Sequence, residues 1–278
     1  MLKKIRHKIR NQIASRHVAG PQIDDALEVC RWAMRKGFSS ILSPWKDADA
    51  SARSMFESYK LSMTALHNEN INGYLSIKLD AIDYDFGIFK DLVQIGRKLD
   101  IRVQIDSLDP HSAAITFRFL EKMAEYHDIL GCTLPSRWQR SLTDADKVLD
   151  LGLSVRIVKG QWPDPTNNNL DCVKNYLAIV EKLADRARHV GVATHDLPLA
   201  KRALSDLRAA GTYCELEQFS SLPLNGMETA RKLGCPYRVY VAYGQPGLPY
   251  NIRFALTRPA IVAWVITDFA LNLKRPWL

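Results

Sequence analysis

The stretch "LSVRIVKG" (153–160) contains the repeating unit that decides the fold. It follows Gly152, where the end of a helix is expected. It precedes a helical pattern over 168–188, in which apolar residues such as Val173 and Val180 recur at steps of three and four. A short β-branched run between a glycine and an amphipathic helix is typical of one strand–helix unit. Runs of the same kind stand on both sides, so this unit predicts the organisation of the chain.

Eight strand candidates follow one another in this way. They are FSSIL (38–42), GYLSIKL (73–79), IRVQID (101–106), LGCTL (130–134), LSVRIVKG (153–160), VGVAT (190–194), TYCELEQF (212–219) and YRVYVAY (237–243). Glycines expected to end the preceding helices stand before five of them, at Gly131, Gly152, Gly191, Gly211 and Gly234. Eightfold alternation predicts an α/β protein with a (β/α)₈ barrel of the TIM type. An open doubly wound sheet competes less well, because no GxGxxG turn follows the first strand.

The positive charge is concentrated at the N-terminus. The 278-residue chain carries a net charge of +8, yet six of its 38 Lys and Arg residues and none of its 30 acids lie in residues 1–20. Leu2, Ile5 and Ile9 fall on one helical face there. We therefore expect a basic helical arm over 1–35 and one catalytic barrel domain over 36–278. The arm either lies on an anionic membrane surface or packs as a solvated helix across one end of the domain.

Composition excludes several classes of protein. Five scattered cysteines without a CxxC pair favour free thiols in a reducing compartment over disulfides or a zinc framework. The longest apolar run, PAIVAWVITDFALNL, is too short for a membrane span. No secretory signal is expected, since Lys and Arg break up the first apolar run. Nothing resembles a nucleic-acid motif with interleaved aromatic residues.

Polar side chains lie on or just past the predicted strands, and we expect them at the carboxyl ends, where barrel enzymes place their chemistry. They are Lys78, Asp106, Arg156, Lys159, Trp162, Thr194, His195, Asp196, Glu215, Glu217, Tyr240 and Tyr243. No metal-ligand spacing and no GxSxG elbow occur among them. Two kinds of site stay open: a Schiff-base lysine that attacks a carbonyl substrate, and a cationic mouth that holds an anionic or electron-accepting cofactor. Two structural alternatives also stay open, namely an ion pair between Lys78 and Asp106 and a core position for His195.

At "VRIVKGQWPD" (155–164) the chain resembles the proline dehydrogenase family, whose fifth-strand pattern is close to RLVKGAYW-D. Six more segments resemble family motifs in the same order. They are LSIKL (75–79), VQIDSLD (103–109), VATHD (192–196), CELEQF (214–219), RVYVAYG (238–244) and YNIRFAL (250–256). The resemblance covers roughly residues 70–260.

This resemblance implies an FAD-dependent dehydrogenase that removes a hydride from the carbon beside the nitrogen of proline or a proline-like secondary amine, leaving an imine. It places Arg156 near flavin N5. The other cofactor-binding residues that it implies are Lys159, Gly160, Trp162, Thr194 and His195. The substrate-pocket residues that it implies are Lys78, Asp106, Tyr240, Tyr250 and Arg253. A quinone acceptor and a cytoplasmic location, with membrane contact through the basic arm, are the further expectations; no metal is expected.

Three departures from the family pattern bear on the substrate and the cofactor. The second arginine of the carboxylate clamp is Phe254, and its loss should cost about 2 kcal/mol of substrate binding. Pro135 stands where a flavin-contacting glutamine is expected, and Asp196 replaces an asparagine. The alternatives therefore include a substrate related to proline, a Schiff-base lyase, and a diverged barrel without catalysis.

Overall fold

The structure, a computed structural model, describes residues 18–47, 49–107, 110–167 and 169–244. Eight parallel strands close into a barrel in sequence order, and β8 pairs with β1. The strands are β1 (Ser39–Pro44), β2 (Gly73–Ile77), β3 (Val103–Ile105), β4 (Leu130–Pro135), β5 (Ser154–Val158), β6 (Val190–Ala193), β7 (Cys214–Phe219) and β8 (Tyr237–Tyr243). The (β/α)₈ barrel predicted from the strand–helix alternation is confirmed.

Helices alternate with the strands around the outside of the barrel. They are α1 (Ile23–Arg35), α2 (Ala52–Asn68), α3 (Phe86–Leu99), α4 (Ser112–Lys122), α5 (Ser141–Asp150), α6 (Cys172–Leu183), α7 (Leu197–Ala209) and α8 (Met227–Lys232), with 3₁₀ turns at Leu79–Ile82 and Ala124–Tyr126. Four of them begin at a side chain that accepts a backbone N–H of the first turn, namely Ser51, Asp85, Asp171 and Asp196. Such caps satisfy donors that the helix itself leaves unpaired, which fixes where each helix starts.

Each strand presents two different faces. On β8, Val239 and Val241 pack outward into the main apolar core beneath the helices. Tyr240 instead belongs to a small cluster inside the barrel, and Arg238 is bonded to a carboxylate there. Interiors of such barrels are usually filled by branched apolar residues. This interior is largely polar, so its charged side chains must pair with one another.

The glycines predicted to end helices divide into two groups. Gly152, Gly211 and Gly234 have φ of 64°, 75° and 62° and follow α5, α7 and α8, as expected of glycine after a helix. For Gly131 and Gly191 the prediction is wrong, because both lie within strands, in β4 and β6. A β-carbon at Gly191 would overlap the carboxylate of Glu217. This glycine therefore makes room inside the barrel.

Helix α6 is shorter than the predicted 168–188 pattern, and only part of the predicted apolar face is buried: Val180 is buried as expected. The helix runs from Cys172 to Leu183, and Val173 is 42% exposed rather than buried. Tyr176 is fully buried, and its hydroxyl donates to the carbonyl of Ile157 at 3.0 Å. The bond joins the buried face of the helix to β5.

The described part of the predicted arm packs against the barrel. Helix α1 contacts β1 and β8, and its apolar residues belong to the main core. Before it, Val18 is buried with the interior cluster, and the Ala19 N–H donates to the carbonyl of Ala242 at 2.7 Å. The basic residues 1–17 lie outside the described part of the chain, so the division at residue 35 stays a prediction. Cys30, Cys132, Cys172, Cys214 and Cys235 are all free thiols.

Candidate active site

A three-residue ion cluster lies inside the barrel towards the carboxyl ends of the strands. Arg156 on β5 donates from Nη1 to Asp106 Oδ1 at 2.6 Å and from Nε to Glu217 Oε2 at 2.7 Å. The Arg156 side chain is 12% exposed, that of Asp106 11% and that of Glu217 1%. Charges this deeply buried are tolerated because each is paired and hydrogen-bonded. Neither bond uses the Nη2 atom of Arg156.

Asp106 joins this cluster to two more of the predicted substrate-pocket residues. Its Oδ2 atom is 2.9 Å from the hydroxyl of Tyr240 and 3.4 Å from the ammonium of Lys78. Burial alone would raise the pKa of Asp106, but the positive charges of Arg156 and Lys78 outweigh it and hold the pKa below its ordinary value. The carboxylate is therefore ionised at neutral pH. The suspected ion pair between Lys78 and Asp106 exists, as one edge of this larger network.

Lys78 is held as a cation. Burial lowers its pKa, but nearby Tyr240 and Asp106 have the opposite effect, and the pKa lies above its ordinary value. Its ammonium also lies 5.4 Å from the ring centre of Trp45. A Schiff-base lysine needs a neutral amine, usually obtained by a lowered pKa. The surroundings of Lys78 favour the reverse.

Aromatic rings line one side of the same cluster. Trp45, just after β1, stacks on Phe219 at 6.1 Å, and Phe219 meets Tyr240 edge to face at 5.3 Å. Arg156 lies 4.7 Å from the centre of the Tyr240 ring. Charged donors beside flat apolar walls suit a planar or ring-shaped ligand with a polar edge.

Gly191 and Tyr74 fix the position of Glu217. The Tyr74 hydroxyl donates to Glu217 Oε1 at 2.7 Å. Sequence reasoning placed Glu217 at a strand end without giving it a role, and it missed Tyr74. The available signal was the alternation along β2, which points Tyr74 inward.

Substituting Gly191 with alanine is expected to destabilise the fold by about 2 kcal/mol, because the new methyl group overlaps a carboxylate that cannot move without losing Arg156 or Tyr74. Thermal unfolding measures the change. Gly87→Ala is the matched control: this exposed glycine lies in the first turn of α3, and a β-carbon there would meet only Asp85 Oδ1 at 3.1 Å, so its midpoint should change much less. Equal changes in the two variants would contradict the close packing of Gly191 on Glu217.

A second ion cluster fills the opposite end of the barrel interior. Glu215 accepts from Arg238 Nε at 2.7 Å and from His189 Nε2 at 3.0 Å, and it lies 3.8 Å from Arg102. Burial would raise the pKa of Glu215, but Arg238 and His189 bring it well below its ordinary value. Burial lowers the pKa of His189, so the neutral ring accepts from Arg102 at Nδ1 and donates from Nε2.

Placing Glu215 with the strand-end residues is therefore wrong. It lies two residues before Glu217 on β7, and its partners come from the amino ends of β3, β6 and β8. Inward-facing residues on one strand alternate by two, so the next one down belongs to a different layer of the barrel.

The loop after β5 carries three of the predicted cofactor residues. Lys159 donates to Asp196 Oδ2 at 2.7 Å, across to the start of α7. Hydrogen bonding from Lys159 lowers the pKa of Asp196. The ion pair thus accommodates the negative charge introduced by Asp196.

Gly160 and Trp162 lie further along this loop. Gly160 has φ of 84°, and a β-carbon there would come within 2.7 Å of Pro135. Its carbonyl accepts from Arg137 Nε at 2.8 Å, while Trp162 is 37% exposed. Pro135, the departure at the end of β4, packs on this glycine, and Arg137 in the following turn is hydrogen-bonded to it.

Thr194 and His195 are engaged within the protein. His195 Nε2 accepts the N–H of Phe219 at 3.0 Å, so Nδ1 carries the proton and donates to the carbonyl of Pro223 at 3.2 Å. Burial lowers the pKa of His195, in keeping with this neutral tautomer. Thr194 accepts the N–H of Asp196 at 3.1 Å. His195 therefore holds the end of β7 and the segment after it through two hydrogen bonds. This is the structural role that the sequence left open for His195.

The predicted residues thus form three groups at the carboxyl end of the barrel: Lys78, Asp106, Arg156 and Tyr240; then Lys159, Gly160 and Trp162; and then Thr194 and His195. Tyr250 and Arg253, predicted for the substrate pocket, and Phe254 lie outside the described residues. No group of three or more His, Cys, Asp or Glu side chains that could hold a metal occurs within residues 18–244 as described. In the same part of the chain, no helix has the length and apolar character needed to cross a membrane.

Comparison with known proteins gives relatives along nearly the whole chain, although no family model matches it. Proline dehydrogenase 1 of Bacillus subtilis is 23% identical over 273 residues, covering 91% of this chain and 89% of the relative. Proline dehydrogenase of Deinococcus radiodurans is 25% identical over 286 residues, covering 94% and 91%.

Solved structures of proline utilization A (PutA) share the fold. The protein from Bdellovibrio bacteriovorus, inactivated by N-propargylglycine, superposes on 95% of this chain with a TM-score of 0.77 at 17% identity. That from Corynebacterium freiburgense superposes on 93% with a TM-score of 0.70 at 15% identity. The chain spans about a third of the length of these PutA proteins, 34% and 32%. Relatives that match 91–94% of the chain, together with the barrel shared with the PutA structures, support a diverged member of the proline dehydrogenase family.

Proposed function

We propose that this protein is an FAD-dependent dehydrogenase that oxidises the C–N bond of proline, or of a proline-like secondary amine, to an imine. The observation that carries the proposal is the Asp106–Arg156–Glu217 cluster, with Lys78 and Tyr240 beside it, at the carboxyl end of the barrel. This is the end at which barrel enzymes hold their ligands. The proline dehydrogenase relatives supply the reaction class.

The residues around the mouth of the barrel fit a flavin dinucleotide. Buried polar atoms without a hydrogen-bond partner among the described residues include three that follow strands at this end, namely Trp45 Nε1, Asp80 Oδ1 and Ser221 Oγ. A bound ligand or an ordered water can satisfy such groups. The cations Arg156 and Lys159 and the exposed Trp162 suit the diphosphate and the flat rings. Arg156, Lys159, Gly160, Trp162, Thr194 and His195 are the residues proposed to hold FAD.

When bound, FAD supplies the hydride acceptor, flavin N5. Arg156 presents a fixed positive charge to the site, because two carboxylates hold its guanidinium in one orientation. Fixed charges stabilise charge that develops during reaction without having to reorganise. Lys78, Asp106 and Tyr240 form a bonded wall that orients the substrate amine, and the aromatic rings of Trp45 and Phe219 exclude water beside it.

The substrate carboxylate is assigned to Arg253 and Tyr250 by the family resemblance alone. Phe254 leaves one arginine where the family has two, so we propose a substrate whose acid group needs a single arginine, either proline itself or an N-substituted or ring-modified relative. A quinone electron acceptor and membrane-surface contact through the basic arm belong to the same proposal.

The test is reconstitution of the purified chain with FAD, followed by anaerobic addition of proline and a panel of secondary amines. We expect a yellow protein whose flavin absorbance is bleached by at least one of these amines. Failure to bind FAD contradicts the proposal and leaves a barrel without this catalysis. A lysine adduct trapped by borohydride with a carbonyl substrate would instead favour the Schiff-base lyase, which the cationic state of Lys78 and the pairing of Lys159 disfavour.

A further inference from the structure

Glu217 is a buried carboxylate that touches Arg156 from within the barrel. It is 1% exposed, and both of its oxygens are used, Oε2 by Arg156 and Oε1 by Tyr74. The position is built for it: Gly191 leaves the space, and the Tyr74 ring is held by Arg102 at 3.8 Å and Arg238 at 4.9 Å. Burial raises the pKa of Tyr74, which keeps its hydroxyl protonated as a donor.

The charge of Glu217 changes the electrostatic balance of the site. Arg156 and Lys78 contribute two positive charges, and Asp106 contributes one negative charge. Without Glu217 this layer of the barrel would carry a net positive charge. With it the charges cancel. Because charges in a buried site are weakly screened, a single carboxylate in contact with Arg156 has a large effect on any ligand that meets the other side of the guanidinium.

A glutamine would preserve the shape of this contact but not its charge. Its amide oxygen can accept from Arg156 Nε, and its NH₂ group can donate to the Tyr74 oxygen. Glu217 and its amide therefore differ chiefly in how strongly Arg156 attracts negative charge. A bound flavin that takes up a hydride, two electrons and one proton, gains a negative charge and responds directly to that difference.

Resting on the proposed function, we propose that Glu217 is a positioning residue that fixes the orientation of Arg156 and offsets its charge, lowering the reduction potential of the bound flavin. A lower potential favours transfer of electrons from the reduced flavin to the electron acceptor and disfavours reduction of the flavin by the substrate amine.

The experiment measures the reduction potential of the FAD-loaded Glu217→Gln protein against a reference dye. We expect the equilibrium between oxidised and reduced flavin to move about tenfold towards the reduced form, or about +30 mV for a two-electron couple. Glu215→Gln is the matched control, because it removes a buried, arginine-paired carboxylate from the same strand about 6.6 Å further from the mouth. Its shift should be less than half as large.

An unchanged potential in Glu217→Gln overturns the proposal, as does an equal shift in both variants, which would mean that contact with Arg156 is irrelevant. If Glu217→Gln does not fold or retain flavin, Tyr74→Phe supplies the measurement. Without the Tyr74 hydrogen bond, the negative charge of Glu217 is less compensated, so the flavin equilibrium should move about threefold towards the oxidised form. An unchanged potential in this variant overturns the proposal. If an amine bleaches the wild-type flavin but neither variant shifts the potential, the role of Glu217 is overturned and the proposed function stands. If the wild-type protein binds no FAD, both proposals are overturned.

Discussion

Replacing Arg156 with methionine is expected to lower kcat/KM for the amine substrate by about 10²–10³-fold, the usual loss when one preorganised charged donor is removed from a site. The FAD-loaded protein should also reduce more slowly in a single turnover. The physical reason is that Arg156 is the one cation held between two carboxylates in this cluster of described residues, Asp106 and Glu217, and it presents its charge without rearrangement. Steady-state and stopped-flow measurements of flavin bleaching provide both numbers.

Arg140→Met is the matched control for that variant. Arg140 also forms a two-point contact with a carboxylate, Asp144, at 2.7 and 3.1 Å, but at the start of α5. Its activity should equal that of the wild type. Arg156→Lys should fall between the two, because a lysine ammonium keeps the charge but cannot hold both carboxylates. A loss below tenfold in Arg156→Met, with flavin still bound, would remove Arg156 from the site.

Replacing Glu215 with alanine is expected to lower the free energy of unfolding by about 3–5 kcal/mol, which is the effect of breaking a buried ion cluster by removing one partner. The loss leaves Arg238 buried without its carboxylate, beside Arg102 and His189. Denaturant unfolding measures the change. Glu228→Ala is the control: Glu228 also pairs with an arginine, Arg231, but on the exposed face of α8, and its unfolding midpoint should not change.

The pH dependence of unfolding separates the charge of Glu215 from its volume. Its folded-state pKa lies below the unfolded value, so its stabilisation is full above the unfolded pKa of about 4.3 and is lost as the pH falls below it. Glu215→Gln should therefore lose less stability than the wild type between neutral pH and about pH 3. Parallel curves for the two proteins would contradict the ion cluster as the source of the stabilisation.

The eight strands were predictable because each is a local pattern. Short β-branched runs bounded by glycine and followed by amphipathic helices place all eight within a few residues of their positions in the structure. The errors occurred where tertiary contacts set the detail. Gly131 and Gly191 resemble helix ends but lie in strands, because Gln104 and Glu217 occupy the space beside them. In α6, Val173 is exposed although Val180 is buried, and the buried face includes Tyr176, which is bonded to β5.

The candidate site was predictable in part. The rule that barrel chemistry gathers at strand ends selected Lys78, Asp106, Arg156 and Tyr240, and these four lie together. Of their partners, Glu217 was selected without a role, and Tyr74 was missed because it reads as an ordinary strand residue. Glu215 and Glu217 looked alike in sequence, although they belong to separate clusters.

The sequence by itself determined the barrel, the direction of its strands and the end at which its polar residues gather, because hydrophobic periodicity and glycine placement are local properties of the chain. Only the tertiary structure decided which charges pair. Arg156 lies 50 residues from Asp106 and 61 from Glu217, and Tyr74 lies 143 residues from Glu217. Closure of the barrel and the register of its strands bring these residues into contact, and no pattern along the chain encodes such distances.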